Sequence, residues 1–226
     1  MSFSLNHSLV FFFGLLVFFS FVLGIYSLWT NPKSKVIRLW FLSSMAIFFW
    51  SFFLFLVIWG NVYGQITDSR VILYSKLLHF AAAFIPIFFF HFVLAFLYKD
   101  KNNKLVIRLG YGLAVIFGIL SLTKFIVLGS AAKIGFNHWI DVGSLYAGFV
   151  AYFWIYVLAS IYFLFRGYKN SDGITRKKTG YILAAVLISF IGGGMSFLPQ
   201  TLNIYPYGNF VAWLYPVLIT YGIFIK

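Results

Sequence analysis

Apolar residues occur along this chain in seven long runs, separated by short polar segments. A helix needs roughly 20 mainly apolar residues to cross a hydrocarbon core of about 30 Å, and each run approaches or exceeds that length. Backbone groups in lipid must be paired within the segment, and the strict alternation of a membrane β-barrel is absent, so the runs are predicted to be helices. The predicted spans are 9–29, 38–60, 73–97, 109–128, 143–165, 181–198 and 209–225.

Composition indicates lipid as the solvent of this chain. Hydrophobic residues make up 62% of the 226 positions and charged residues only 9%, whereas a soluble domain carries about 25% charged residues. A chain this apolar cannot cover a globular surface with polar groups. We therefore predict an all-α membrane protein, with residues 1–226 forming a single seven-transmembrane-helix bundle.

The net charge of +13 indicates membrane orientation rather than nucleic-acid binding, because most of the basic residues lie in the short segments between apolar runs. Most of them fall in the first, third and fifth loops and at the C-terminus: Lys33, Lys35, Arg38, Lys99, Lys101, Lys104, Arg108, Arg166, Lys169, Arg176, Lys177, Lys178 and Lys226. The other side holds only Arg70, Lys76, Lys124 and Lys133. Positively charged loops stay in the cytoplasm, so the N-terminus is predicted outside and the C-terminus inside.

The sequence has few acidic side chains and no thiols. There is no Cys and no Glu, and the four acids, Asp68, Asp100, Asp141 and Asp172, all lie outside the predicted spans. The pair His138 and Asp141 has no further ligand that would fix a metal geometry. We expect no catalytic residue, no metal, no cofactor and no enzymatic activity.

Polar and helix-breaking residues within the apolar runs are the candidates for function. His79 and His91 share the third span but lie roughly 18 Å apart along a helix axis, too far to bind one metal. Each imidazole either contacts a ligand or bonds a neighbouring helix. Pro86 should kink or loosen the third helix. The run Gly192–Gly194 would allow close helix packing or local bending.

Several stretches, in the same order along the chain, resemble the N-terminal seven-helix region of bacterial membrane histidine kinases and related sensor proteins. The stretches are 21–26, 31–34, 49–52, 84–94, 192–193, 197–199, 204–209 and 220–223. The most telling are Ile85-Pro86 followed by His91-Phe92, and Pro199 followed by Tyr205-Pro206 and Gly208. The family-pattern and structural residues are Trp50, Pro86, His91, Gly192, Gly193, Pro199, Tyr205, Pro206 and Gly208.

The resemblance implies a sensory input module in the bacterial cytoplasmic membrane. The family continues into signalling domains, so a cytoplasmic kinase or cyclase is expected either beyond Lys226 or on a separate partner. Without Glu or an ATP-site glycine motif, residues 1–226 cannot phosphorylate a substrate themselves. The expected partners are the lipid bilayer, a small-molecule or lipid-soluble ligand, that signalling domain and a second copy of the chain.

Our working hypothesis is that a ligand binds among the outer ends of the third, fifth, sixth and seventh helices. The candidate contacts are His79, Trp139, Tyr205 and Trp213. Binding would favour one of two helix packings, and the last helix would pass the change onward. Two alternatives stay open: a small seven-span transporter or permease, and a structural subunit of a membrane complex.

Overall fold

The computed structural model describes residues 2–225, and the side chains of residues 2–4, 189–195 and 198 lie outside what it describes. Within that part the chain forms long helices and one β-hairpin. In chain order the elements are α1 Ser2–Thr30, α2 Lys35–Val62, α3 Asp68–Phe96, α4 Lys104–Ser121, β1 Val127–Lys133, β2 Phe136–Val142, α5 Tyr146–Lys169, α6 Gly173–Gly194, α7 Leu198–Leu202 and α8 Leu214–Phe224.

The prediction of a helical membrane bundle is confirmed. Among the described residues, five helices are long and apolar enough to cross a membrane: Leu5–Thr30, Lys35–Val62, Asp68–Phe96, Asp100–Ser121 and Tyr146–Lys169. The predicted spans 38–60, 73–97 and 143–165 fall within α2, α3 and α5 or extend up to three residues beyond them. These helices extend past the apolar runs because caps and polar turns end them: the Ser34 side chain, for example, accepts a hydrogen bond from the backbone N–H of Ile37.

Helix α3 is the centre of the bundle and the most buried of the long helices. It packs against α2, α4 and α5, while α8 packs against α6 and α1. Aromatic rings fill the interior: Trp40 of α2 lies 5.7 Å from Phe92 of α3 and 5.8 Å from Tyr215 of α8, measured between ring centroids. Dense packing of this kind joins helices in lipid, where burial of apolar surface does not.

The predicted fourth span, 109–128, is wrong at its C-terminal end. Helix α4 ends at Ser121, and the apolar run continues into β1 of an antiparallel hairpin. The Thr123 hydroxyl donates to the carbonyl of Leu120 and accepts from the N–H of Phe125, which turns the chain out of the helix. Ile134 and Gly135 both have positive φ, as a two-residue hairpin turn that suits the twist of the strands requires.

The last two predicted spans, 181–198 and 209–225, also differ from the helices observed. Helix α6 begins earlier, at Gly173, so that only residues 170–172 connect it to α5. Helix α8 begins later, at Leu214, because a 3-10 turn over Tyr207–Phe210 comes before it. Its 11 residues are about 16 Å long. By length and hydropathy, the described residues therefore contain five candidate membrane spans and one shorter apolar helix, Leu214–Phe224, while α6 is not among these candidates.

Contacts between residues in loops or near helix ends fall into two groups at opposite ends of the bundle. At one end Lys35 forms an ion pair with Asp100, and Lys178 Nζ donates to the carbonyl of Ile223 at 3.3 Å. At the other end, the contacts join residue 6 to residue 205, residue 61 to residue 138, residue 68 to residue 138 and residue 134 to residue 203. We call these the Lys35 end and the His138 end. Lys35 and Lys178 both belong to the basic segments for which a cytoplasmic location is predicted.

Candidate functional site

Aromatic rings surround His79 at the His138 end of α3. The His79 side chain is buried, and its Nδ1 donates to the carbonyl of Ser75 in the same helix at 2.7 Å. The rings of Tyr146 and Phe149 on α5 lie 5.6 and 5.5 Å away, both edge-on. Its hydrogen bond therefore stays within α3, while its ring ties α3 to α5.

The buried hydrogen-bond donors at this end include two aromatic groups that have no partner among the described residues. They are the indole Nε1 of Trp139 on β2 and the hydroxyl of Tyr146 at the start of α5. Leaving a buried donor unpaired costs about 1–3 kcal/mol. Such groups in a native protein call for an explanation, and a bound acceptor would supply one.

The hairpin is fastened to the helices through His138. The Asn61 side chain, on α2, donates to the carbonyl of His138 at 2.7 Å and accepts from its N–H at 3.0 Å. The imidazole Nδ1 of His138 contacts the Asp68 carboxylate at 2.7 Å. Asn203 Oδ1 accepts from the N–H of Ile134 in the hairpin turn at 3.0 Å. Three other segments of the chain thus meet at one β-hairpin.

Tyr205 and Trp213 lie on the side of the bundle formed by α1. The Tyr205 hydroxyl donates to Asn6 Oδ1 at 2.9 Å. Burial, with Tyr207 beside it, raises the pKa of Tyr205 to about 12, so the phenol stays neutral and can donate. The Trp213 indole stacks on Phe19 with ring centroids 5.9 Å apart.

The four predicted ligand contacts do not form one hydrogen-bonded or stacked cluster. Within the described part of the chain, His79 and Trp139 belong to the α3–α5–hairpin region, whereas Tyr205 and Trp213 contact α1. His138 and Asp141 have different partners, since His138 contacts Asp68 and Asp141 pairs with Lys133 at 2.9 Å. The described residues contain no group of three His, Cys, Asp or Glu side chains that could hold a metal ion.

Three of the family-pattern residues lie in α2 and α3. His91 Nδ1 lies 2.9 Å from the hydroxyl of Tyr111 on α4, so this imidazole bonds a neighbouring helix. Pro86 lies inside the continuous helix α3 and has no N–H for the carbonyl of the preceding turn. Close to that gap, the Tyr152 hydroxyl on α5 donates to the carbonyl of Ala83 at 2.9 Å. Trp50 packs edge-on against Phe13 of α1.

The remaining family-pattern residues shape the chain between α6 and α8. Pro199 lies in the first turn of α7, where its missing N–H costs nothing, and Pro206 and Gly208 shape the 3-10 turn over Tyr207–Phe210. The buried Ser196 hydroxyl donates to Asn209 Oδ1 at 2.8 Å and holds these segments together. The packing of Gly192 and Gly193, like that of Gly194, lies outside the described residues.

The contacts of α8 with α2 and α6 were not predicted from the sequence. Trp40 Nε1 of α2 donates to Thr220 Oγ1 of α8 at 3.2 Å, and both residues are buried. A Cβ atom added to Gly222 would lie 3.1 Å from Tyr181 Cβ and 3.2 Å from the carbonyl oxygen of Lys178, both on α6. In the sequence, only the resemblance of Thr220-Tyr221-Gly222 to the family pointed to this part of α8. The residues that it contacts lie far away in the sequence.

Comparison with known protein families places this geometry in context. The model of a family described as the N-terminal 7TM region of histidine kinase matches residues 12–224. No curated protein matches the chain.

Proposed function

Since the chain belongs to the family of N-terminal 7TM regions of histidine kinases, we propose that it senses a ligand at the His138 end of the bundle and signals through α8 to a cytoplasmic kinase or cyclase. The family implies a membrane sensory input module. The match over residues 12–224 is the observation that carries the proposal. The signalling domain either follows Lys226 or belongs to a partner protein in the bacterial inner membrane.

Seven crossings with the N-terminus outside account for the two groups of loop contacts. The ion pair between Lys35 and Asp100, for example, joins the first and third predicted loops, which the basic residues assign to the same side. Helices α6 and α8 supply the sixth and seventh crossings in this arrangement, and α8 completes its crossing with the help of the turns before it. The side with more Lys and Arg is cytoplasmic.

The proposed ligand is uncharged, has a hydrogen-bond acceptor and an apolar body. Trp139 and Tyr146 offer unpaired donors, and the rings around His79 offer apolar surface. A charged ligand would lose its hydration in this aromatic region without an opposite charge to replace it. In this proposal Tyr205 and Trp213 do not contact the ligand. Ligand binding affects them through their contacts with α1.

Signal transfer requires a difference in helix packing between ligand-free and ligand-bound states. Tyr146 and Phe149 begin α5, which packs on α3 and α6, and α6 packs on α8. A shift of α5 thus reaches Gly222, where α8 and α6 are in close contact. Pro86 leaves α3 with one fewer backbone hydrogen bond to resist the change.

The test joins the chain at Lys226 to the cytoplasmic part of a histidine kinase and measures phosphate transfer from labelled ATP in nanodiscs. Gly222→Ala should change the kinase rate severalfold, because α8 must move away from Tyr181. Gly148→Ala is the matched control, since its Cβ would meet only Phe117, at 3.9 Å. A kinase rate that is the same in every variant would contradict the input-module proposal.

The same preparation separates the alternatives. A transporter would show solute flux in liposomes without any kinase attached, whereas an input module would show none. A structural subunit would co-purify with a stable partner and leave the kinase rate unchanged.

A further inference from the structure

A groove of about 490 Å³ opens on the surface of α6 near the Lys35 end of the bundle. It is lined by Tyr168, Gly173, Arg176, Lys177, Gly180, Tyr181 and Ala184. All but Tyr168 lie on α6, where single residues or adjacent pairs recur every three or four positions, so they form one broad stripe along a single helix face.

Polarity changes along this stripe. Arg176 and Lys177 lie at its polar end, Gly180 leaves its middle open, and Ala184 lies about 12 Å further along α6. Tyr168 of α5 forms one wall, and a Cβ added to Gly180 would already lie 3.2 Å from its ring. A phospholipid has the same order of groups: an anionic phosphate, a glycerol and an acyl chain.

The cations of the groove are available to an anion. The Arg176 guanidinium lies over the Tyr168 ring, 4.8 Å from its centroid, and stacking of this kind leaves its N–H donors free. In the described part of the chain Lys177 has no acidic partner. Between residues 166 and 178 there are five basic residues and one acid, Asp172. Asp172 directly precedes α6, and its carbonyl accepts from the N–H of Arg176.

We infer that this groove binds the phosphate and glycerol of an anionic phospholipid, with Arg176 and Lys177 on the phosphate and Gly180 and Ala184 beside the glycerol and acyl chain. Basic pockets between helices at the cytoplasmic surface recognise such headgroups. The assignment to the cytoplasmic leaflet rests on the proposed orientation. A bound lipid here would contact α6 close to Lys178, which bonds the end of α8.

The experiment titrates the purified full chain in detergent with phosphatidylglycerol, phosphatidylcholine or inorganic phosphate and counts bound molecules by native mass spectrometry. We expect phosphatidylglycerol to bind at least tenfold more tightly than phosphatidylcholine, and phosphate not to compete. Arg176→Gln with Lys177→Gln should weaken phosphatidylglycerol binding by about tenfold or more. The control Lys101→Gln with Lys104→Gln removes the same charge from another basic segment and should change binding less than twofold.

A second variant tests whether lipid binding depends on the shape of the groove or only on the positive charge of the surface. Gly180→Leu keeps every cation but fills the groove, so it should weaken phosphatidylglycerol binding as much as the double variant. Equal losses in both charge variants, normal binding by Gly180→Leu, or full competition by phosphate would each overturn the lipid site. Micelles have no inside or outside, so this result does not depend on the orientation or the kinase test.

Discussion

Trp40 and Thr220, separated by 180 positions in the chain, share a buried hydrogen bond of 3.2 Å between the indole Nε1 and the threonine hydroxyl. The bond joins α2 to α8, the helix proposed to carry the signal. It has a direction, because an indole N–H only donates and the hydroxyl must accept. Rotation of α8 by a fraction of a turn would leave the Trp40 donor unpaired, so the bond favours one rotational position of α8.

We predict that Thr220→Val destabilises the bundle and changes the kinase rate of the fusion protein. Valine keeps the shape of threonine but strands the buried Trp40 donor, at a cost of about 1–3 kcal/mol. Thermal unfolding in detergent measures the first effect and phosphate transfer the second. Thr220→Ser, which retains the hydroxyl, should behave much more like the parent protein. Equal stability of the valine and serine variants would show that the bond contributes nothing.

Tyr146→Phe should leave the ligand-free bundle as stable as the parent protein or slightly more stable, whereas Trp139→Phe also leaves a gap in the packing and should be somewhat less stable. Each change removes a buried donor that has no partner among the described residues, and thus removes an unmet desolvation cost. If these donors bind the ligand, the same variants should lose about tenfold in ligand response in the kinase fusion, equivalent to about 1.4 kcal/mol. Tyr26→Phe on exposed α1 surface is the control. Substantial destabilisation by Tyr146→Phe would show instead that its hydroxyl is already satisfied.

The apolar runs predicted α2, α3 and α5 well because each run ends near a cap or turn that local sequence shows, such as Ser34 before α2. The apolar run gave a wrong prediction at residues 125–128. Four apolar residues after Thr123 and Lys124 have the hydropathy of a helix, yet they lead into β1. Hydropathy measures solvent preference and does not distinguish a helix end from a strand that covers the bundle. Ile134-Gly135, two residues between two strand-like runs, was the missed hairpin signal.

The site was less predictable than the fold. His79 and Trp139 could be selected as polar or aromatic residues at the outer end, but their partners could not. Asp68 lies 70 positions from His138, and nothing in either segment indicates that they meet. Pairing across the bundle depends on helix rotation and register, which single-sequence periodicity does not fix when α3 is apolar on all sides.

We predict that Asn61→Ala releases the hairpin from α2. The side chain makes two hydrogen bonds to the His138 backbone, so its removal should cost about 1–3 kcal/mol and speed amide exchange across Val127–Val142. Hydrogen–deuterium exchange followed by mass spectrometry measures the release directly. The matched control is Asn137→Ala, which changes an exposed side chain next to His138 on β2. Identical exchange in both variants would mean that Asp68 and Asn203 hold the hairpin without Asn61.

Gly110→Ala should be the most damaging small substitution in α4, whereas Gly112→Ala should be tolerated. A Cβ at Gly110 would collide with Ile87 Cδ1 of α3 and lie 2.8 Å from the Tyr156 ring of α5, whose hydroxyl donates to the carbonyl of Val106 at 3.0 Å. Forcing an extra methyl group into a packed core costs about 1–3 kcal/mol. At Gly112 the added methyl group would meet nothing within 4 Å, and alanine is the better helix former by about 1 kcal/mol. Thermal unfolding of the two variants in the same detergent should therefore shift in opposite directions. A similar loss of stability in both would mean that α4 lies further from α3 and α5 than this packing requires.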